Sequence, residues 1–428
     1  MVRGLAAGRT ETGLRKGIAG VLAVMLLMVP ASPFRVQAQT TAAAWKPPES
    51  PSSEAVQLVT PNEKLPPDVP PPPQVSAQAA AMIDVSSGRL LYSKNGDNRM
   101  LIASLTKIMT AIVAIENGDL SDLVKVGKNA FGKEGSSIYL RLGEEMSLEN
   151  MLYGMMLRSG NDAATAIAEH IGGTVEGFAY LMNQKAAELG LENSHFVNPH
   201  GLDDKDHYSS ANDLAKLTAY ALKNPVFREI VKTRIKTAPN PNAQWDYIWR
   251  NKNKMLYFYE GADGVKTGYT KAAGRGLVSS ATRNGQQLAV VTINAPNDWA
   301  DHTALLDYGF QHFSLETVVE QGERLANTPY VPKASFRYPL TAEEKEALRL
   351  QFKPEDPGTY RYRLGIRGKL YIVVNGETVG SVDMVEEQSP EQERSAPSFR
   401  SLAGKSPLNF WHKYQAALGK VWQSLFAL

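Results

Sequence analysis

The 428-residue chain contains no cysteine. That absence excludes a disulfide framework, a thiolate metal site and a cysteine nucleophile, and it fits any compartment. An excess of either charge is missing too. The formal net charge is +2 and no basic patch is interleaved with aromatics, so nucleic acid is not an expected partner. The apolar run Ile18 to Val29 is shorter than the roughly 20 residues that a spanning helix needs. No H-E-x-x-H accompanies His195, His200 and His207, which therefore read as part of a polar loop and not as metal ligands.

The two ends of the chain carry what there is to say about location. Arg3, Arg9, Arg15 and Lys16 precede the apolar run, and Pro30 and then Val36-Gln37-Ala38 follow it. That order predicts a secretory leader over residues 1–38, with an uncleaved N-terminal anchor as the alternative. Losing residues 1–38 removes five cations and one acid, which takes the formal charge from +2 to −2. The chain is expected to be exported. Residues 39–75 are rich in proline and poor in large apolar side chains, the composition of an extended linker. At the other end, Ser406 and Pro407 open a segment in which Trp411, Tyr414, Leu418, Val421, Trp422 and Leu425 share one helical face. From Arg394 onward there are five cations and no acid. A basic, aromatic-bearing amphipathic helix over residues 406–428, after a linker over 389–405, is the pattern of an interfacial membrane anchor. A helix packed on the protein itself shares this periodicity.

Between the ends, runs around Ser86-Ser87-Gly88 predict a hairpin at a sheet edge, and residues 104 to 224 are mostly helical in period. Two strand-like runs meet at Asn284-Gly285, a two-residue hairpin signal, and a closing helix follows around Leu305 to Phe313. Residues 76–313 thus form an α/β body, a mixed sheet of early and late strands with a large helical insertion. Residues 314–388 show short alternating runs broken by glycine and by Asn375-Gly376, which predicts a small all-β domain.

One stretch, ASLTKIMTAIVAI at 103–115, is apolar nearly all round, as in a buried helix, yet it holds Lys107. Ser104 sits one turn earlier on the same face. A desolvated lysine loses its charge more readily and can then accept a proton from a hydroxyl. This is the only serine-x-x-lysine in the chain. Ser159-Gly160-Asn161 lies 55 residues beyond Ser104, and the only lysine-threonine-glycine, Lys266-Thr267-Gly268, lies 162 residues beyond it, just before the strand-like region. A further serine-x-asparagine, Ser210-Ala211-Asn212, reads as the cap of the next helix. Taken singly, Lys107 could snorkel from a helix end, Ser159-Gly160 could stop a helix, and Lys266-Thr267-Gly268 could form a turn. The ordered triple is far more specific than any member.

S-x-x-K, S-x-N and K-T-G in this order resemble the serine penicillin-recognising enzymes. Within that group the blocks IASLTKIMT, GSSIYLRLGE, LRSGNDAATAIAEHIGG, HFVNPHGLDDKDHYSSANDLAKL, ADGVKTGYT and LLDYGF are similar to those of low-molecular-mass penicillin-binding proteins, the D-alanyl-D-alanine carboxypeptidases. The resemblance covers most of residues 76–313. It implies a serine β-lactamase/transpeptidase-like fold, no cofactor and no metal. The implied substrate is the peptidoglycan stem peptide ending in D-Ala-D-Ala, with β-lactams as covalent inhibitors.

The resemblance also implies roles. Ser104 would be the nucleophile, Lys107 its base and Ser159 a proton relay. Asn161 would hydrogen-bond the substrate peptide, Lys266 and Thr267 would meet its terminal carboxylate, and Gly268 would let the substrate backbone lie close. The backbone N–H groups of Ser104 and Tyr269 would form the oxyanion hole. Some relatives have a histidine after K-T-G, where this chain has Tyr269, and an arginine before the LLDYGF-like block, where it reads NAPNDWADHTA. The second cation at the carboxylate therefore stays open, with Lys271 and Arg275 as candidates. A serine β-lactamase, which would need a glutamate such as Glu188 or Glu192 to hold water, and a non-catalytic wall-binding protein are the alternatives.

Overall fold

The computed structural model describes residues 69–325 and 328–387. The expected leader, most of the Pro-rich linker, the second linker and the terminal amphipathic helix lie outside the described residues. Among the described residues no helix is long and apolar enough to cross a membrane.

The chain opens with β1 (Ala79–Asp84) and β2 (Leu90–Lys94), then a 3₁₀ turn at Ala103–Thr106 that runs directly into α1 (Lys107–Asn117). After a short hairpin of β3 (Leu123–Lys125) and β4 (Glu145–Ser147) come α2 (Leu148–Arg158), α3 (Asn161–Gly172), α4 (Val175–Glu188), α5 (Ala211–Lys223) and α6 (Pro225–Lys232). A second hairpin, β5 (Ile235–Ala238) with β6 (Tyr247–Arg250), and the one-turn α7 (Met255–Phe258) lead into β7 (Ala262–Thr270), β8 (Gly274–Arg283), β9 (Gln286–Ile293) and α8 (Asp298–His312).

One five-stranded sheet, in the order β2-β1-β9-β8-β7, organises this body; a mixed sheet was expected, but every neighbouring pair is antiparallel. Because successive strand residues point to opposite faces, β1 serves two cores. Ala79, Ala81 and Ile83 join the helical insertion, while Ala80 and Met82 pack with Leu305, Leu306 and Tyr308 of α8. Burial on both faces explains why AAAMID shows no polar alternation. The same reasoning accounts for α1, in which every residue from Lys107 to Ala114 is buried. It lies among α2 to α6, so an apolar surface all round is required.

Two further expectations need correction. K-T-G does not precede the strands but lies inside one, β7, the edge strand of the sheet. ADGVKTGYT was hard to read as a strand because two glycines and an aspartate depress β propensity. The region after residue 314 is β-rich but not all-β. It has β10 (Ser314–Val319) paired with β12 (Phe336–Leu340), and a sheet in the order β11-β15-β14-β13 made of β11 (Tyr330–Pro332), β13 (Arg349–Pro354), β14 (Ile366–Val374) and β15 (Glu377–Glu386). It also carries two short helices, α9 (Ala342–Ala347) and α10 (Tyr360–Arg363). Thr341 and Glu344 close a capping box on α9. Glu344 in turn accepts both arms of Arg89, from the β1–β2 hairpin, at 2.5 and 2.9 Å. This nearly buried ion pair ties the β-rich region to the body. Removing one partner of such a pair costs about 3–5 kcal/mol, because a charge is left buried alone.

Candidate active site

Lys107 is the first residue of α1 and is wholly buried. Its Nζ lies 3.0 Å from Ser104 Oγ, 2.7 Å from Asn161 Oδ1 and 2.6 Å from the carbonyl oxygen of His200. The Asn161 amide is oriented by its other end, since Nδ2 donates to the Glu134 carbonyl at 2.7 Å. Two of the three neighbours of Nζ are thus obligate acceptors and only the Ser104 hydroxyl can donate. A neutral amine has two N–H groups for the carbonyl oxygens and one lone pair, which is left for the Ser104 O–H. An ammonium would instead make Ser104 an acceptor and block its activation.

The surroundings select the neutral form. Burial, followed by the positive charges of Lys266 and Lys252, holds the Lys107 amine well below the usual lysine range, against an opposing pull from Asp162. Lys266, also buried, is pushed down to about 7, first by burial and then by Lys252. Its Nζ donates to the Thr267 carbonyl at 2.7 Å.

The strand bearing Lys266 comes against the Ser104 turn at Gly268. A Cβ there would stand 3.3 Å from both the Ile102 carbonyl oxygen and the Leu105 nitrogen. Gly268 thus admits close approach of the Ser104 turn. Ser104 occupies the second position of the 3₁₀ turn, whose first N–H groups have no partner within the turn. Tyr269, immediately after Gly268, is 67% exposed. Its side chain is at the surface while its backbone belongs to the edge strand.

Ser159 is the left-handed residue (φ 66°) that ends α2, and Gly160 caps α3. Its side chain makes no hydrogen bond among the described residues, so the expected link to Lys107 and Lys266 is not formed. Asn161 has both amide ends bound within the protein and acts on Lys107 in this state. The wall beside it is the 134–140 loop, held by the buried Asp162, which accepts from Ser137 Oγ at 2.6 Å and from the Ile138 and Leu140 N–H groups.

The histidine loop has a function that the sequence reading missed. The Val197 N–H donates to His207 Nδ1, so the neutral ring carries its proton on Nε2 and donates to Thr106 Oγ1 at 2.7 Å. That hydroxyl donates to the Ala103 carbonyl at 2.8 Å. Burial is the largest cause that pushes His207 down to about 4 and His200 to about 2, so both rings stay neutral. The chain of bonds supports Ala103, a non-glycine residue at φ 46° just before Ser104. Such a conformation costs on the order of 1–2 kcal/mol. The loop also reaches the K-T-G strand, where Thr270 Oγ1 donates to Asp203 at 2.7 Å.

Of the two cations left open, Arg275 is engaged by Asp298 through two contacts of 2.7 and 2.8 Å, and Lys271 is exposed in the β7–β8 turn. Lys252 had no sequence signal, since Asn251-Lys252-Asn253 looks like any polar connection. Glu188 lies at the surface, paired with Lys185.

Gly201 is the tightest point of the loop. It sits at φ +82°, and a Cβ would fall 1.8 Å from the Ala103 carbonyl oxygen. Gly201→Ala is expected to lose more than about 2 kcal/mol of stability, and to slow labelled-penicillin acylation. Gly190→Ala, at φ +63° in open space, is expected to cost about 1 kcal/mol and leave acylation intact. Thermal melts and adduct kinetics check this; equal behaviour of the two variants contradicts it.

The model of the D-alanyl-D-alanine carboxypeptidase family matches residues 67–297, just over half of the chain. The chain is 34% identical over 316 residues to the D-alanyl-D-alanine carboxypeptidase DacF of Bacillus subtilis, covering 72% of this chain and 80% of that one. With the carboxypeptidase DacA of Haemophilus influenzae it shares 32% identity, covering 73% and 81%. Among solved structures, penicillin binding protein 5 from Haemophilus influenzae superposes with a TM-score of 0.62 at 27% identity, over 74% of this chain and 98% of its own. Penicillin binding protein 6B from Escherichia coli gives 0.61 at 26%, over 74% and 98%. With the three motifs gathered around one buried amine, the chain belongs to the D-alanyl-D-alanine carboxypeptidase family of serine hydrolases.

Proposed function

We propose that Ser104 is the nucleophile that removes the terminal D-alanine from peptidoglycan stem peptides ending in D-Ala-D-Ala. The observation that carries this is the buried, desolvated Nζ of Lys107 at 3.0 Å from Ser104 Oγ. Lys107 takes the Ser104 proton as Oγ attacks the penultimate D-Ala carbonyl. The N–H groups of Ser104 and Tyr269 receive the oxyanion. Collapse breaks the C–N bond, and the proton passes from Lys107 to the departing amine through Ser159, whose hydroxyl is uncommitted. Water then cleaves the ester of Ser104 and regenerates the enzyme. Thr267 and Lys266 meet the substrate carboxylate; an arriving anion raises the Lys266 pKa from about 7 and favours its charged form. β-Lactams acylate the same oxygen. Glu188, exposed and held by Lys185, gives no support to a β-lactamase-type deacylation.

The domain reading belongs to the same proposal: a leader at 1–38, a linker at 39–75, the catalytic body at 76–313, a β-rich domain at 314–388, a linker at 389–405 and an anchoring helix at 406–428. The enzyme works outside the cytoplasmic membrane, held to its surface by that helix.

Incubating the protein with a stem pentapeptide is expected to release D-alanine from the wild type and none from Ser104→Ala; equal release from both refutes the assignment. Deleting residues 406–428 is expected to keep hydrolysis of soluble peptide while freeing the protein from anionic lipid vesicles. A truncated form that still cosediments with the vesicles overturns the anchor.

A further inference from the structure

The carboxylate that leaves with the terminal D-alanine needs cationic partners, and one place remains to be filled beside Lys266. Arg275 is spent on Asp298. Lys271 is not among the charges that act on either buried lysine. Lys252 differs from both. Its backbone N–H donates to the Leu157 carbonyl at 3.1 Å, two residues before Ser159. The next side chain, buried Asn253, donates to the Gly264 carbonyl at 2.6 Å, two residues before Lys266. Buried Asn251 holds the other flank through the Val231 and Thr233 carbonyls. Lys252 is therefore fixed between the wall that carries the second motif and the strand that carries the third. Its Nζ donates to Ser136 Oγ at 3.2 Å, and the Ser136 carbonyl accepts the Asn161 N–H at 2.7 Å.

The side chain is exposed to solvent and has no carboxylate partner among the described residues. Desolvation, followed by the positive charge of Arg158, holds the Lys252 amine below the usual lysine range, and an arriving carboxylate opposes both effects and favours the charged form. Its charge already reaches both buried amines, where it adds to the effect of burial.

We infer that Lys252 is the second cation at the substrate carboxylate, the place for which the sequence before the LLDYGF-like block offers no arginine. This rests on the carboxypeptidase reading above. It makes Lys252 a determinant of specificity for peptides with a free C-terminal acid: binding is a charge-assisted contact at the cleft rim, sensitive to salt.

The test uses the full-length protein and two probes, a stem peptide ending in D-Ala-D-Ala and the same peptide as its C-terminal carboxamide. Lys252→Gln is expected to lower kcat/KM for the free acid about tenfold, mostly through KM, with the loss shrinking as salt is raised. The carboxamide is expected to lose far less, and Lys252→Arg to recover most of the acid activity. Removing the charge also raises the pKa of the base Lys107, so the acid limb of the rate profile moves to higher pH in Lys252→Gln and not in Lys252→Arg. An active wild type whose Lys252→Gln variant loses both probes equally, or loses neither, overturns the assignment of Lys252 alone. A wild type that releases no D-alanine from the acid defeats the underlying reading, and this inference with it.

Discussion

Everything in this structure that bears on chemistry depends on keeping one primary amine away from water. A lysine in solution is an ammonium, a poor base, and burial alone removes most of its preference for the charge. Here the burial is complete, and two more lysines reinforce it electrostatically. The price is paid by the fold. Where a lysine titrates below its ordinary value of 10.5, the unfolded chain binds the extra proton at neutral pH and the folded chain does not, so stability rises with pH through that window. For Lys266, at about 7, the cost at neutral pH is on the order of 4 kcal/mol. The two apolar cores on either side of the sheet supply what the site consumes.

The second constraint is backbone strain held in place by hydrogen bonds. Ala103, Tyr139 and Ser159 all take positive φ without being glycine; Ala103 precedes the nucleophile Ser104, Ser159 opens the second motif, and Tyr139 lies in the loop that Asp162 holds. Ala103 is braced through Thr106 and His207, and the 139 turn through Asp162. Strained conformations persist only where the surroundings over-determine them. The loops around Ala103 and Tyr139 do so with the hydrogen bonds of Thr106, His207 and Asp162, while the Ser159 hydroxyl is left without a partner among the described residues. The site is thus a set of fixed dipoles around a neutral amine, in place before substrate arrives.

How much of this could be read in the chain depends on whether the signal was local. The S-x-x-K spacing needs only one helical turn, so the Ser104–Lys107 contact was legible, as was the hairpin at Asn284-Gly285, where both residues take positive φ. The β2–β1 edge hairpin and the closing helix followed from period and turn chemistry. What was not legible depends on contacts across long stretches of chain. That Gly268 also faces Ile102 and Leu105, and that Asn161 also holds Lys107, had no local signal. The histidines carried no spacing pattern that would tie His207 to Thr106, 101 residues away. Strand β7 was hidden because Asp263, Gly264 and Gly268 depress its β propensity.

The central claim is that Lys107 is uncharged while it touches Ser104, and the most direct measurement is a titration of the lysine Nζ resonances in 15N-labelled protein, with Lys107→Arg for assignment. The account predicts that the Lys107 signal is that of a neutral amine over the pH range in which the enzyme is active and titrates well below the usual lysine range, with Lys266 titrating near 7. A Lys107 signal that remains an ammonium until about pH 10 would contradict it.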